Sequence, residues 1–414
     1  MTTVRDDELG HALRELEVPA HRAGFDSELE RLLSPPRRRR GRWVPALAAA
    51  AALAIAAGVA LFLPRSSDVA SAAKLREVIV DTFGSAKTIS GVFVNREQPG
   101  GGENRWRFTV DSSGSFRIEG VDHPTITAYD STTNVETSSD TGLFVTRTGL
   151  APGPPDAGPA DWVLARGLGS VVAALASEGD AAVKETRYRG RSAWEVRTPT
   201  GIPGEERLIT VDRETGIPVR SALFRNGQPG AEWRIEDLRV DDSDGEAEYA
   251  LKPGAGQQSS RYDMGFRRVR LDNVAGHVGR APLAPTWVPS GFERVEVGVA
   301  NRSRSTGDEQ RRNPVSRDVV SIRYRRGLDD LVVTSRLTGS NPSAWGDPVI
   351  GSSPMARQPQ QVTFAKGALR SRRGEVVIDA NSVPHLWAIA GPVVVTVAGN
   401  LDRAELIRVA ESLE

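Results

Sequence analysis

Aromatic side chains recur in this sequence at a spacing that suits one face of a sheet. The set comprises Trp106, Phe108, Phe116, Tyr129, Phe144 and Trp162. Alternation from Arg105 to Val110 places Trp106 and Phe108 on the same side of a strand. The next three fall on later predicted strands, and the last falls on a predicted helix. Such a set suits a concave apolar cavity for an acyl chain, or else an ordinary hydrophobic core.

Residue types that carry catalysis form no recognisable pattern. The chain has no cysteine and only five histidines, which argues against thiolate chemistry and against a histidine-rich metal cluster. G-x-S-x-G, H-E-x-x-H, Walker and EF-hand patterns are absent from the sequence. His123, His277 and His385 are far apart, although a catalytic set can still assemble in space. We expect no enzyme activity, no cofactor and no metal, and we interpret the runs 241–244 and 329–330 as turns.

Composition narrows the class of protein further. The 414 residues allow two or three domains, and 53 basic residues balance 53 acidic ones. Nucleic-acid binding needs a surplus of positive charge, so no nucleic-acid partner is expected. The 48 arginines against 5 lysines indicate a high-GC bacterial genome, such as that of an actinobacterium.

One segment has the length and composition of a transmembrane helix. Val44 to Leu63 contains twenty residues without a charge, and twenty helical residues span about 30 Å of hydrocarbon. Trp43 stands where an interfacial aromatic residue is expected. A buried helix of a soluble domain is the alternative, although such helices usually keep a polar stripe.

Charges beside this segment predict its orientation. The basic cluster before it consists of Arg37, Arg38, Arg39, Arg40 and Arg42. The positive-inside rule therefore predicts a single-pass protein of the cell membrane, with a cytoplasmic N-terminus and residues 65–414 outside. Cleavage at Ala70-Ser71-Ala72 is the alternative, but the apolar run is longer than that of a signal peptide.

The predicted cytoplasmic part, residues 1–43, begins with an acidic tail. Residues 1–36 carry four arginines and eight carboxylates, and they contain two short amphipathic helix patterns. Isolated helices this short are marginal in water. The tail is therefore either a segment that docks on a cytoplasmic partner and folds there, or a solvated leader.

A juxtamembrane linker is predicted at 64–72. The outer region that follows has the sequence pattern of an α+β protein and divides into two parts. Residues 73–251 predict nine to eleven antiparallel strands and two helices, an arrangement that a highly curved sheet over helices satisfies. Residues 252–283, rich in Gly, Pro, Gln and Ser, predict a linker. Residues 284–414 predict a smaller α+β domain that ends in a helix, with Asn400 as its N-cap and Asp402 in its first turn.

Several short motifs resemble known bacterial envelope proteins. SFRIEG…HPTITAYDSTTNVETSSD and LITVDRETGIPVRSALFRNGQPGAEWRIEDLRV resemble strands of the LolA/LppX-like lipoprotein-carrier fold. WVPSGF at 287–292 and HLWAIAGPVVVTVAGNLDRAELIRVAESL at 385–413 resemble the C-terminal domain of the RseB (MucB) family. This resemblance implies an unclosed, strongly curved sheet with an apolar cavity, followed by an RseB-like domain.

The resemblance also implies a function. RseB-like proteins sense envelope lipid or lipoprotein species and hold an anti-sigma factor in check. We therefore expect a membrane-anchored extracytoplasmic sensor or regulator, whose partners are an acyl lipid or lipoprotein, an anti-sigma or other envelope protein, or both. A tethered lipid carrier and a purely protein-binding envelope module are the alternatives. RseB itself has no anchor, so the anchor and the tail set this chain apart.

Overall fold

The computed structural model describes residues 69, 71–97, 99–151, 170–200, 202–241, 249–301, 318–338, 345–349, 359–378 and 383–414. The predicted tail, arginine cluster and transmembrane helix lie outside these residues, and so does Trp162. Within the described residues, no helix is long and apolar enough to span a membrane. The anchor, its orientation and the domain boundaries stay predictions.

Twelve strands form the first sheet. They are β1 (Thr88–Arg96), β2 (Asn104–Asp111), β3 (Phe116–Gly120), β4 (Ile126–Asp130), β5 (Val135–Asp140), β6 (Leu143–Thr148), β7 (Lys184–Tyr188), β8 (Arg191–Pro199), β9 (Glu205–Asp212), β10 (Pro218–Arg225), β11 (Gln228–Val240) and β12 (Gln258–Asp263). Their order is β12-β6-β5-β4-β3-β2-β1-β11-β10-β9-β8-β7. The sheet is curved and unclosed, as predicted, with β12 and β7 at its edges.

Two helices cover one face of this sheet. They are α1 (Ala72–Ser85) and α2 (Ser170–Ser177). Leu75, Ile79 and Phe83 lie on one side of α1 because four residues make about one turn, and all three are buried. They share a core with sheet residues such as Phe108. The prediction of a helix beginning near residue 73 is thus confirmed.

The segment predicted as a linker, 252–283, contains regular structure. It includes β12, then β13 (Phe266–Arg268), a 3₁₀ turn at Leu271–Asn273 and α3 (Val274–Val278). β12 lies parallel to β6 in the first sheet, whereas β13 belongs to the second sheet. Composition did not indicate these strands, because their pairing partners lie far away along the chain.

Seven further strands complete the second sheet. They are β14 (Glu293–Asn301), β15 (Asp318–Arg326), β16 (Asp329–Leu337), β17 (Gln360–Thr363), β18 (Arg373–Val377), β19 (His385–Ala390) and β20 (Val393–Gly399). The order is β13-β14-β15-β16-β20-β19-β18-β17, and all neighbours are antiparallel. This sheet has its own core, which includes residues of the last helix.

The last helix, α4 (Arg403–Glu411), corrects the predicted cap. Its N-cap is Asp402 rather than Asn400, and Asp402 accepts from the backbone N–H of Glu405 at 2.8 Å. The Glu405 side chain returns to the Asp402 N–H at 2.9 Å. Only Asp402 has a glutamate three residues later, so only it can form this reciprocal capping box.

Candidate functional site

The first sheet brings four of the six predicted aromatic residues to one face. Phe116 on β3 stands opposite Val110 on β2 and Tyr129 on β4. Directly opposed residues share a face, and residues two apart on a strand do so as well. Trp106 and Phe108, four and two residues before Val110, therefore share the face of Phe116 and Tyr129. The rings of Phe116 and Tyr129 are 5.6 Å apart.

Phe144 lies on the opposite face, which corrects the prediction of a single aromatic face. Val145 on β6 lies in the same cross-strand row as Phe108, and this row runs through β3, β4 and β5. Phe144 is the neighbour of Val145 in the strand, so its side chain points to the opposite face of the sheet. Residues 249–257 contact that other face. There the Gln257 side chain donates to Oγ of Ser139, the residue opposite Phe144, at 2.9 Å.

The shared face carries much of the core of the first sheet. Phe108 is 1% exposed and belongs to the same core as buried residues of α1 and α2. Trp106 and Phe116 are partly buried and pack against this core. Phe108 is therefore a core residue, and the apolar cavity stays a prediction.

A row of aromatic rings in contact crosses the middle of the first sheet. Phe93 on β1 lies 6.2 Å from Trp106 and 5.8 Å from Trp233 on β11, between ring centroids. The imidazole of His123 meets Trp106 edge to face at 6.0 Å. Sequence reasoning missed Phe93 and Trp233, because the pairing of β1 with β11 joins residues about 140 positions apart, and no local pattern reports it.

Two residues singled out in the sequence, His385 and Asp241, contact other groups of the chain. His385 is fully buried, with Nδ1 2.8 Å from the Val383 carbonyl and Nε2 2.8 Å from an Asp347 oxygen. Asp241 accepts from two backbone N–H groups that begin β1, so it acts in a turn. Among the described residues, no group of three ligating side chains is placed to hold a metal ion.

The hairpin between β15 and β16 contacts the end of α1. Leu328 donates its backbone N–H to the carbonyl of Phe83 at 2.8 Å. A methyl group at Gly84 would lie 2.7 Å from Nε of Arg326, so the two segments approach closely. This contact joins a helix of the first sheet to a hairpin of the second.

Asp329, interpreted as a turn residue in the sequence, is a buried acid at this contact. Its side chain has no exposed area. Asn400 donates to it at 2.9 Å and Arg326 at 3.2 Å. Burial raises its pKa to about 7, although Arg326 and Asn400 oppose the shift and Asp330 adds to it.

Arginines make a second contact between the sheets. Arg325 binds Asp330 through Nε at 2.8 Å and also donates to the Ser113 carbonyl in the β2–β3 turn. Arg268 binds Glu296 at 2.6 Å and donates to the Thr132 carbonyl in the β4–β5 turn at 2.8 Å. Side chains of the second sheet thus hold two turns of the first.

A basic groove runs beside these contacts along β14. It consists of two pockets of about 440 and 530 Å³ that share residues 269 and 295–297. Its charged lining residues are Arg268, Arg270, Asp272, Arg294, Glu296, Arg323 and Arg325. Five arginines against two carboxylates give the groove a positive balance.

The groove also exposes part of a strand edge. On this side of β14, strand pairing covers 298–300 and ends with a bond from the Val269 N–H to the Val297 carbonyl. No described strand pairs with residues 293–296 there. A bulge interrupts β14 at Val295, whose side chain is 51% exposed. Bulges are common beside binding sites because they redirect the strand.

No protein-family model and no curated protein matches the sequence significantly. Among solved structures, MucB is similar to this chain at 19% identity, covering 84% of this chain and 98% of MucB, with a TM-score of 0.29. The structure of the MucA/MucB complex of Pseudomonas aeruginosa shows 21% identity to this chain. The match covers 83% of this chain and 98% of the matched chain, with a TM-score of 0.28. An uncharacterized conserved protein from Thermus thermophilus is 14% identical to this chain. The match covers 45% of this chain and 98% of that protein, with a TM-score of 0.29. Such low TM-scores establish neither family nor function.

Proposed function

We propose that this chain is a membrane-anchored extracytoplasmic regulator of the RseB type, and that its outer region binds a protein partner. Residues 44–63 supply the anchor in this proposal, and residues 1–36 face the cytoplasm. The role is one of binding rather than catalysis. The sequence resemblance suggests the class of partner, an anti-sigma or other envelope protein.

The observation that carries the proposal is the edge of β14 at residues 293–296, with which no described strand pairs, beside five arginines. An exposed strand edge presents free N–H and C=O groups that an extended peptide can pair with. Arginine forks bind carboxylates in a defined geometry. Together they favour an extended, acidic segment of a protein as the ligand.

Arg294 is the arginine best placed to recognise such a segment. It is exposed, it borders the unpaired edge, and it forms no ion pair with any described residue. The other four arginines already contact carboxylates of the chain. Arg294 can therefore bind an incoming carboxylate without losing an internal partner.

Site-specific crosslinking tests the proposal. A photo-crosslinking amino acid at position 295 of the full chain, activated in intact cells, should give a discrete adduct with an envelope protein. Arg294→Glu should reduce that adduct strongly, because it places a negative charge beside an acidic segment. Arg370→Glu makes the same change at an exposed site outside the groove and should leave the adduct intact. Equal adduct yields in both variants would refute recognition at β14.

The regulatory part of the proposal has its own test. Deletion of residues 1–36 should alter the transcriptional response to envelope stress while leaving the position-295 adduct in place. If neither this deletion nor removal of the outer region changes the transcriptome under stress, the chain is not a regulator.

A tethered carrier of apolar ligands is the second candidate, and the aromatic row of Phe93, Trp106 and Trp233 favours it. Flat aromatic surfaces suit acyl chains. Native mass spectrometry of residues 66–414, purified from membranes without added lipid, should then reveal a bound lipid that Trp106→Asp abolishes. A ligand-free mass for the unchanged protein would exclude this candidate.

A further inference from the structure

The edge strand β12 is unusually open. Its whole length pairs with β6 on one side, and no described strand pairs with it on the other. Six residues present an edge of roughly 20 Å. Three of the exposed large apolar side chains lie on β12 or beside it: Tyr262 at 53%, Met264 directly after the strand at 52%, and Leu143 on the neighbouring β6 at 41%. The other edge of this sheet, β7, carries three charges in five residues (KETRY), a common protection against pairing.

The outward backbone groups of β12 can be assigned. The N–H groups of Gln258 and Met264 donate to β6 and its flanking turn, each at 2.8 Å. Backbone groups alternate sides along a strand. The N–H and C=O groups of Ser259, Arg261 and Asp263 therefore point away from the sheet.

We propose that β12 pairs antiparallel with β12 of a second copy of this chain, about a two-fold axis at Tyr262. In this register Arg261 of each copy stands opposite Asp263 of the other, and both are residues whose backbone groups point outward. Tyr262 meets its own symmetry mate in the pair without hydrogen bonds, where side chains approach most closely. The interface is isologous, as in most homodimers.

Charge selects this register over its neighbours. A shift of the pairing partner by two residues in one direction would place Arg261 opposite Arg261, and in the other direction Asp263 opposite Asp263. Like charges directly opposed are destabilising, whereas opposite charges stabilise a cross-strand pair. The sequence Arg-Tyr-Asp is thus complementary to itself only in the proposed register.

The exposed side chains support this assignment. Arg261 is exposed and forms no ion pair with a described residue. Asp263 binds Arg267 of its own chain at 2.6 Å, and in the proposed dimer Arg261 of the second copy would join this pair. Tyr262 and Met264 point to one face of the strand, so the dimer would cover both.

A charge swap tests the inference on the full chain in detergent, with native mass spectrometry to count subunits. The unchanged protein should form dimers, and Arg261→Asp should weaken them about tenfold or more, because two attractive pairs become repulsive. The double variant Arg261→Asp/Asp263→Arg should restore dimers. Arg270→Asp, which breaks an exposed pair elsewhere, should have no effect. A monomeric unchanged protein, or a double variant that does not recover, would overturn the inference.

A second test leaves Asp263 intact and does not depend on the swap variants folding. The chain has no cysteine, so Tyr262→Cys introduces a single thiol at the proposed axis. Opposed residues of this kind lie close enough for a disulfide, and mild oxidation in membranes should give a crosslinked dimer. Ile202→Cys, at a similarly exposed site, is the control. Equal crosslinking at both positions would argue against a β12 interface.

Discussion

Asn400 donates its side-chain amide to the buried carboxylate of Asp329 at 2.9 Å. The backbone carbonyl of Asn400 accepts from Arg76 of α1 at 3.1 Å. One asparagine thus connects a buried acid of the second sheet to a helix that covers the first. This part of the contact between the two sheet regions therefore includes a titratable carboxyl group and an arginine.

The first prediction concerns pH. Asp329 has a pKa near 7 in the folded chain because it is buried, whereas an unfolded aspartate titrates near 3.9. Between these values the folded state holds a proton that the unfolded state has released. Stability contributed by this group is therefore complete below about pH 4, falls as pH rises to 7, and is constant above. A shift of this size corresponds to roughly a few kcal/mol.

Replacement by Asn isolates this effect from other titrating groups. Urea denaturation of residues 66–414 should be measured at pH values from 4.5 to 8. As pH rises, the unfolding free energy of Asp329→Asn should increase relative to that of the unchanged protein. The difference in unfolding free energy should level off above pH 7. A difference independent of pH would show that Asp329 is ionised throughout this range in the folded protein.

Arg76 should contribute more to stability than a surface cation of the same helix. Its side chain is 12% exposed, bonds to the Asn400 carbonyl and lies 3.5 Å from Glu405. Arg76→Ala removes the donor to the Asn400 carbonyl and the cation beside Glu405, and we expect a loss of about 1–3 kcal/mol. Lys74→Ala removes an exposed pair with Glu77 and should leave the urea midpoint nearly unchanged, because solvent screens such pairs. Equal urea midpoints for the two variants would argue against the interaction of Arg76 with the second sheet.

Phe108 should behave as a core residue. It is 1% exposed and packs in the core that α1 and α2 share, so Phe108→Ala is expected to lower the unfolding free energy by about 3–5 kcal/mol. Phe224 is half-buried beneath Arg197, and Phe224→Ala should lose less than half as much. Urea denaturation distinguishes the two. Similar losses would show that Phe108 faces an open space.

Local patterns predicted the parts of the fold that local physics decides. Alternation from Arg105 to Val110 predicted β2 and the shared side of Trp106 and Phe108, and β2 spans Asn104–Asp111. The apolar stripe of α1 was equally clear. Such signals succeed because side-chain periodicity follows directly from backbone geometry.

Features that depend on distant pairing could not be predicted in the same way. Phe144 was placed on the wrong face because its side follows from the register between β5 and β6. Asp329 resembled a turn residue, since its burial comes from the distant Asn400 and α1. The strand β12 was missed because its only partner among the described strands lies more than 100 residues earlier.

Two glycines in similar hairpins allow the contact between α1 and the second sheet to be tested separately from backbone strain. Gly327 and Gly391 begin the two-residue turns after β15 and β19, with φ of 55° and 59°. Alanine at either position should cost about 1–2 kcal/mol, because a residue with a Cβ is strained in the left-handed backbone region. A methyl group at Gly391 meets nothing within 4 Å, whereas one at Gly327 would lie 2.5 Å from the Phe83 carbonyl oxygen. Gly327→Ala should therefore be clearly more destabilising in urea and should expose the end of α1 to proteolysis. Equal losses would mean that the hairpin and α1 are not in contact in solution.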